Sequence, residues 1–312
     1  SIDDGEIEYK ARGEVKGHLL NQFSMDEHDG NLRVATTTFI FRRDSTMYNN
    51  VFVLDEDLDV IGELEDIAPD ERIFSTRFMG DRLYMVTFKQ IDPLFVIDLS
   101  NPRNPEILGE LKIPGFSDYL HPYDENHIIG IGKDTTANEF GGVTTGGVKL
   151  ALFDVSDVAN PKEKAKFIIG TSGSDSEALR DHKAFLFDLE KNLLVMPVNE
   201  VKERVYDESR GYYRWNTWQG AYVFTLTEEG FEVKGTVTHS TEENSRRYYY
   251  RGLETLRRSL YMDNVLYTIS EAKIKMNDLD TVEDINEVEI STEKTRGISS
   301  GVPLVEPEVL ID

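Results

Sequence analysis

The chain contains no cysteine, which excludes a disulfide scaffold, a thiolate nucleophile and any cysteine-ligated zinc or iron–sulfur centre. Histidine is scarce, at positions 18, 28, 121, 127, 182 and 239, and shows no His-Glu-x-x-His or comparable zinc spacing. Positive charge is also in short supply: 34 Lys plus Arg stand against 58 Asp plus Glu, a formal net charge of −24. Phosphate contacts need clustered Lys and Arg, so this balance argues against a nucleic-acid partner. Long apolar runs are missing too. The runs at 150–153 and 193–198 fall far short of the roughly 18 residues of a spanning helix, so no transmembrane segment is expected. The first residues are polar and acidic, and no signal peptide is visible. Sustained 3.6-residue periodicity is lacking except weakly around 249–260, which excludes a mostly helical fold.

What is present is a repeat. The 312 residues are 39% hydrophobic and 10% aromatic, ample for a core and incompatible with wholesale disorder. Val-Phe-Val-Leu-Asp at 51–55 is followed by Val-Ile-Gly-Glu-Leu at 60–64, and Leu-Phe-Val-Ile-Asp at 94–98 by Ile-Leu-Gly-Glu-Leu at 107–111. Further copies run from Leu150 to Asp154 and, with Thr in place of Asp, from Ala221 to Thr225. Ahead of each copy lies a hairpin with an Asp-, Asn- or Gly-rich turn, such as Asp29–Gly30–Asn31, Gly80–Asp81 or Asp263–Asn264. Four strands recurring every 40–45 residues or so is the period of propeller blades. We therefore expect an all-β fold, a β-propeller of four-stranded antiparallel blades occupying residues 1–292, with five repeats near 17–65, 72–113, 117–170, 180–238 and 247–290, and an extended tail at 293–312. Residues 6–15 read as a fourth strand without its three predecessors. The chain thus starts in mid-blade, and either this strand closes a five-bladed ring or it ends a blade of a larger one. The insertions 134–147 and 199–219 are expected to be exposed loops.

The strings Leu-Asn-Gln-Phe-Ser-Met-Asp at 20–26, Asn-Leu-Arg-Val-Ala-Thr-Thr at 31–37, Arg-Phe-Met-Gly-Asp-Arg-Leu-Tyr at 77–84 and Asp-His-Lys-Ala-Phe-Leu-Phe-Asp at 181–188 resemble a family of secreted archaeal and bacterial proteins. Its members carry a C-terminal β-propeller distantly related to WD repeats. The resemblance implies a secreted or cell-surface location and no enzymatic activity that transfers to this chain. Members are longer at the N-terminus, so a missing N-terminal part of the same propeller is one expected partner.

Ligands of propellers sit where the inner strands converge. The segments ahead of those strands offer Arg77, Asp118, His121, Asp181, His182 and Arg251. Mixed Asp, His and Arg from several blades bind an anion, a sugar or a metal ion, or else cross-link the blades by charge-assisted hydrogen bonds, which is the commoner use. Asp181–His182 follows Ser172, Ser174 and Ser176, yet no Gly-x-Ser-x-Gly elbow accompanies them, which argues against a serine hydrolase. No organic cofactor is expected. Calcium suits the abundant oxygen ligands, with Asp26 and Asp29 in one cluster and Asp278 and Asp280 in another, although neither follows the twelve-residue loop pattern. The stretch Arg-Arg-Tyr-Tyr-Tyr-Arg at 246–251, with Tyr212, Tyr213, Trp215 and Trp218 in the insertion before it, is the most distinctive surface candidate, since aromatics beside arginines stack on sugars or pack in interfaces, although Tyr248 and Tyr250 suit a blade core equally well. The favoured function is non-catalytic binding of a protein or envelope polysaccharide at the cell surface. The rival is a propeller hydrolase using Asp118 and Asp181 as paired carboxylates.

Overall fold

The apolar runs that end in aspartate form the third strands of the first three of five four-stranded antiparallel sheets; in the fourth the run ends in Thr225, and the fifth third strand is the more polar Lys273–Asp278. The computed structural model describes residues 2–3, 5–40, 46–88, 92–138, 142–209, 211–240 and 252–290. A short pair, β1 (Ile2–Asp3) and β2 (Glu6–Ile7), precedes the sheets. The first sheet comprises β3 (Met25–His28), β4 (Asn31–Ile40), β5 (Thr46–Leu54) and β6 (Val60–Ile67). The second is β7 (Arg72–Met79), β8 (Arg82–Phe88), β9 (Asp92–Asp98) and β10 (Glu106–Ile113). The third is β11 (Phe116–Pro122), β12 (His127–Ala137), β13 (Val143–Asp154) and β14 (Lys162–Ile169). The fourth is β15 (Leu186–Asp188), β16 (Leu193–Asp207), β17 (Tyr212–Thr227) and β18 (Gly230–Val237). The fifth is β19 (Arg258–Met262), β20 (Val265–Ile269), β21 (Lys273–Asp278) and β22 (Asp284–Glu289). Each sheet is a meander in chain order, the arrangement of a propeller blade.

The repeated aspartate has a local task. Asp98 accepts from the Ser100 N–H at 3.0 Å, and Asp154 from the Ser156 N–H at 3.0 Å, each bending the chain toward the fourth strand. Asp55 does the same for the N–H groups of Asp57 and Asp59. Asp278 is the fifth-sheet member of this series: its Oδ1 accepts from the N–H of Asp280 at 2.9 Å and of Thr281 at 2.8 Å.

Between sheets, alternation decides which neighbour each residue meets. Leu83 and Met85 point to the first sheet and pack with Ala35, Val51 and Val53, while Tyr84 and Val86 point to the third and pack with Leu120, Ile128 and Phe153. The third and fourth sheets share a core that includes Ile129, Leu150, Leu194 and Phe224. The fourth and fifth share one that includes Val195, Val223 and Leu266. Both faces of the central strands are covered, which is why β8, β12 and β16 read as near-continuous apolar runs.

Two expectations are corrected. Within the insertions at 134–147 and 199–219, residues 134–137, 143–147, 199–207 and 212–219 are not loops; they prolong their strands into two paired β arms. Thr135 pairs with Thr145 and Ala137 with Val143 in one arm, and Tyr206 pairs with Tyr213 and Asp207 with Tyr212 in the other. Threonine, valine and aromatic side chains favour the pleated backbone, and a two-stranded ribbon satisfies its own ladder without a core. Residues 6–15 do not form the fourth strand of a sheet. Only Glu6 and Ile7 are paired, with Ile2 and Asp3, and the chain then crosses the outer face of the first sheet. There Val15 packs on Val34, Phe52 and Leu54, and His18 bridges Thr37. The tail from 291 onward lies outside the described residues.

Candidate functional site at the inner strands and the aromatic arm

The first strands of successive sheets are stitched together. Ser75 Oγ donates to the Ser117 carbonyl at 2.6 Å, and Thr76 Oγ1 donates to the Phe23 carbonyl at 3.0 Å. Where they converge, the structure brings together three of the residues expected there. The Arg77 guanidinium donates to the Leu120 carbonyl through Nε and Nη2 at 2.9 and 2.7 Å. It also lies 4.1 Å from the Phe23 ring centroid and 5.4 Å from that of Tyr119. Tyr119 Oη shares a hydrogen bond of 2.9 Å with His121 Nδ1. His182 meets Phe23 edge-on at 5.0 Å, and Gln22 Nε2 donates toward its Nδ1 at 3.5 Å. Burial holds His121 down at about 4, helped by the charge on Arg77, so its imidazole is neutral at pH 7. This hub joins four sheets, and its arginine is engaged by the Leu120 carbonyl and two rings.

Asp118 stands apart from it. It is the extra residue of a β-bulge in β11, between Ser117 paired with Gly132 and Tyr119 paired with Ile131. Gly132 permits the bulge, because a Cβ there would sit 1.6 Å from the Phe116 oxygen. Burial pushes the Asp118 carboxyl up to about 7, against the pull of Lys133 and Arg180 and with the repulsion of Asp175. Asp175 is itself gripped by Arg180, Nη1 to Oδ1 at 3.1 Å and Nη2 to Oδ2 at 2.7 Å, and lies 3.6 Å from Lys133 Nζ. Burial opposes its charge, but the Arg180 hydrogen bonds win and hold it below the usual carboxylate range. Asp175 and Arg180 also line a cleft of about 460 Å³, together with Asn199, Thr255 and Arg257. Lys133 and Asp175 carry no sequence signal, since each sits within an otherwise ordinary strand or turn.

The other nominated residues are engaged elsewhere. Asp181 caps the short turn 182–184 by accepting from the Lys183 N–H at 2.9 Å, and its Oδ2 lies 2.5 Å from Arg258 Nη2 in the fifth sheet. It is not part of the Asp118 cluster. Ser174 and Ser176 are fully buried and hydrogen-bonded to the backbone of Val201 and Pro197. The stretch 246–251, Arg251 included, lies outside the described residues. Asp26 is paired with buried Arg33, and Asp280 lies 3.8 Å from Lys234. Asp278 is occupied by its turn, as described above. Asp29 belongs, with His28 and Asp81, to one group of ligand atoms all within 4.8 Å of one another, found among the described residues.

The arm of β16 and β17 presents a different surface. On one face of the ribbon stand Tyr206, Tyr213 and Trp215, which are 50%, 55% and 42% exposed, with the two tyrosine rings 4.9 Å apart. Trp218, at the root, is half-buried: it meets Tyr222 edge-on at 5.4 Å and covers Gly220. The two tryptophans therefore differ in kind. Trp218 anchors the arm, and Trp215 is offered to solvent.

A family model described as a β-propeller domain matches residues 1–282. An uncharacterized protein of Methanocaldococcus jannaschii is 39% identical over 277 residues, covering 89% of this chain and 38% of that protein. Another, of Archaeoglobus fulgidus, is 36% identical over 285 residues, covering 91% of this chain and 38% of its own length. The chain thus spans well under half the length of these relatives. Among solved structures, the Pan2 WD40 domain of Neurospora crassa aligns with a TM-score of 0.41 at 10% identity, covering 88% of this chain and 79% of that one.

Proposed function

Since the chain belongs to the β-propeller domain family, we propose that it works as a non-catalytic binding module at the cell surface, and that its aromatic arm meets the ligand, a protein or an envelope polysaccharide. The observation that carries this reading is the exposed row of Tyr206, Tyr213 and Trp215 on an antiparallel ribbon held out from the blade core. Such rings supply large contact area at small entropic cost, and their faces stack on the C–H faces of sugars or pack against protein side chains. The surface location rests on the resemblance of the strings at 20–26 and 181–188 to secreted proteins. The net charge of −24 suits a solvated coat whose carboxylates blunt exposed strand edges.

With Trp218→Phe as the background, Trp215 becomes the sole tryptophan and reports directly on the arm. Titration with an envelope polysaccharide fraction, and in parallel with solubilised envelope proteins, is expected to shift its emission saturably with one of the two. Replacing Tyr213 by Ala should then weaken that binding about 30-fold, the size of a hot-spot loss of about 2 kcal/mol. Unchanged emission alongside binding detected by calorimetry would place the ligand elsewhere.

A second reading, a carbohydrate-active hydrolase, draws on one observation: Asp118 is held protonated up to about 7 beside an ionised Asp175, the division of labour of an acid and its partner carboxylate. On this reading Asp175, and not Asp181, completes the pair. Glycan hydrolysis that disappears in Asp118→Asn with arm binding intact would support it.

A further inference from the structure

Strand alternation decides which way the aromatic row of the arm faces. Leu193 and Val195 of β16, with Ala221 and Val223 of β17, pack against Leu266 of the fifth sheet. The same parity continues outward along both strands. On β16 it presents Pro197 and Asn199, and on β17 it presents Gln219, Thr217, Trp215 and Tyr213. The bulge between Val201 and Glu203 belongs to β16 and leaves the alternation of β17 intact. The row of rings therefore stands on the side that looks toward the fifth sheet. It descends through exposed Thr217 to the cleft of about 460 Å³ at its foot. Pro197 and Asn199 line that cleft from β16, and Thr255, Leu256 and Arg257 line it from the segment ahead of β19. This segment is tied to the root of the arm: Gln219 Nε2 donates to the Leu256 carbonyl at 3.1 Å, and the Leu256 N–H donates to Gln219 Oε1 at 3.2 Å. Arm and cleft are thus one continuous surface.

The polar groups of the cleft are of two kinds. Its arginines are already paired: Arg180 grips Asp175 through both Nη atoms, and Arg257 Nη2 lies 3.2 Å from Glu271 Oε1. By contrast, the side chains of Asn199, Thr255 and Glu177 make no hydrogen bond among the described residues, and all three are half-buried. An amide, a hydroxyl and a carboxylate together donate and accept, which is what sugar hydroxyls require. We infer that the cleft is a second contact for the ligand of the arm, and that this ligand is an uncharged, hydroxyl-rich glycan. Its sugars stack on Trp215 and Tyr213 and end in the cleft on Asn199, Thr255 and Glu177. The inference rests on the reading of the arm as a recognition surface and deepens it by choosing between its two ligand classes. The volume lies within the roughly 300–1,000 Å³ of small-molecule sites. Of the described lining residues only Pro197 and Leu256 are apolar, so the cleft is a poor seat for the aromatic or aliphatic anchor of a protein partner. A uronate or phosphate group would find no free countercharge there, and the net charge of −24 opposes its approach.

Calorimetric titration tests this with envelope polysaccharide divided by anion exchange into a neutral and an acidic pool. The neutral pool is expected to bind, and the acidic pool to bind roughly tenfold more weakly. Asn199→Ala combined with Thr255→Val should weaken binding of the neutral pool about tenfold, the loss of two hydrogen bonds. The melting temperature of that variant should stay within about 2 °C of the wild type, since neither side chain has a partner to lose. Thr255→Ser keeps the hydroxyl and should bind as the wild type does. If the double variant melts lower, Thr255→Val against Thr255→Ser decides. Equal or tighter binding of the acidic pool would overturn the inference. So would full binding by the cleft variants together with loss in Trp215→Ala, a result that leaves the arm reading standing alone. Binding of solubilised envelope proteins but of neither pool would overturn the glycan assignment and spare the arm, whereas no binding of either class would remove both.

Discussion

Replacing Glu163 by Ala is expected to destabilise the protein by about 3–5 kcal/mol, the usual consequence of orphaning a buried charge. Lys149 sits in the middle of β13, where a covered strand would ordinarily carry an apolar residue, and its side chain is only 5% exposed. Its Nζ lies 2.5 Å from Glu163 Oε2, an ion pair made without hydrogen-bond alignment, and donates to the Pro114 carbonyl at 3.0 Å. Truncating Glu163 leaves a cation in the blade interior with one neutral acceptor. The change should lower the melting temperature by roughly 6–10 °C, taking about 2 °C per kcal/mol for a chain of this length. The double replacement Lys149→Met with Glu163→Leu is the informative control, because removing both charges also removes both desolvation penalties. It should restore most of the lost stability. If the single and double variants lose equal stability, the loss is one of packing and the charge argument fails.

The second large effect is a gain. Asp118 has its carboxyl pushed up to about 7 in the folded protein, against about 3.9 for an unperturbed aspartate. Between those values the folded chain holds a proton that the unfolded chain has released, so stability falls as pH rises from about 4 to 7 and stays low above it. At about 1.36 kcal/mol per unit the full cost is on the order of 4 kcal/mol. Asp118→Asn never acquires the charge. It should match the wild type at pH 4 and exceed it by up to about 4 kcal/mol at pH 8, read by urea unfolding at both values. His121 and His239, each held down at about 4 by burial, work in the opposite sense and are fully neutral and favourable above about 6.5. They are common to both proteins and cancel in the comparison. If Asp118→Asn proves less stable than wild type at pH 8, the carboxylate is needed by Lys133 and Arg180 more than burial opposes it.

A stabilising substitution at a bulged inner-strand position would also say something about use. Positions that cost stability in the folded state can be those that function employs, and Asp118 beside the Asp175–Arg180 cleft is one place of that character among the described residues.

How much of the structure is legible in the sequence depends on the reach of the interaction. The blades are, because their determinants are local: an apolar quartet, an aspartate whose carboxylate bends the following turn, and an Asp- or Gly-rich hairpin two strands earlier. Asp55, Asp98 and Asp154 mark the same structural position because each accepts from N–H groups two to four residues on. The same rule, applied to Asp278, identifies a turn cap where oxygen density alone suggests a calcium ligand. The arms read as loops because their polar and aromatic residues have no core to face; strand pairing there is satisfied between the two strands of each arm, and hydrophobic burial does not signal it. Arg77, His121 and His182 do come together, since inner strands of successive repeats must converge. What holds them there is not visible in the sequence, because Phe23, Tyr119 and the Leu120 carbonyl that fill the Arg77 environment come from separated stretches of chain. Lys133 and Asp175 reach Asp118 only through the packing of the third sheet against the turn after it, a relation that no spacing along the chain encodes.

On the proposed function, recognition resides on the arm and the inner-strand hub is structural. Co-sedimentation with purified cell envelopes separates the two. The triple variant Tyr206→Ala, Tyr213→Ala, Trp215→Ala is predicted to lose binding at least 30-fold while keeping its melting temperature, and His121→Phe is predicted to bind as the wild type does. Full binding by the triple variant, with binding lost in His121→Phe at unchanged stability, would contradict it.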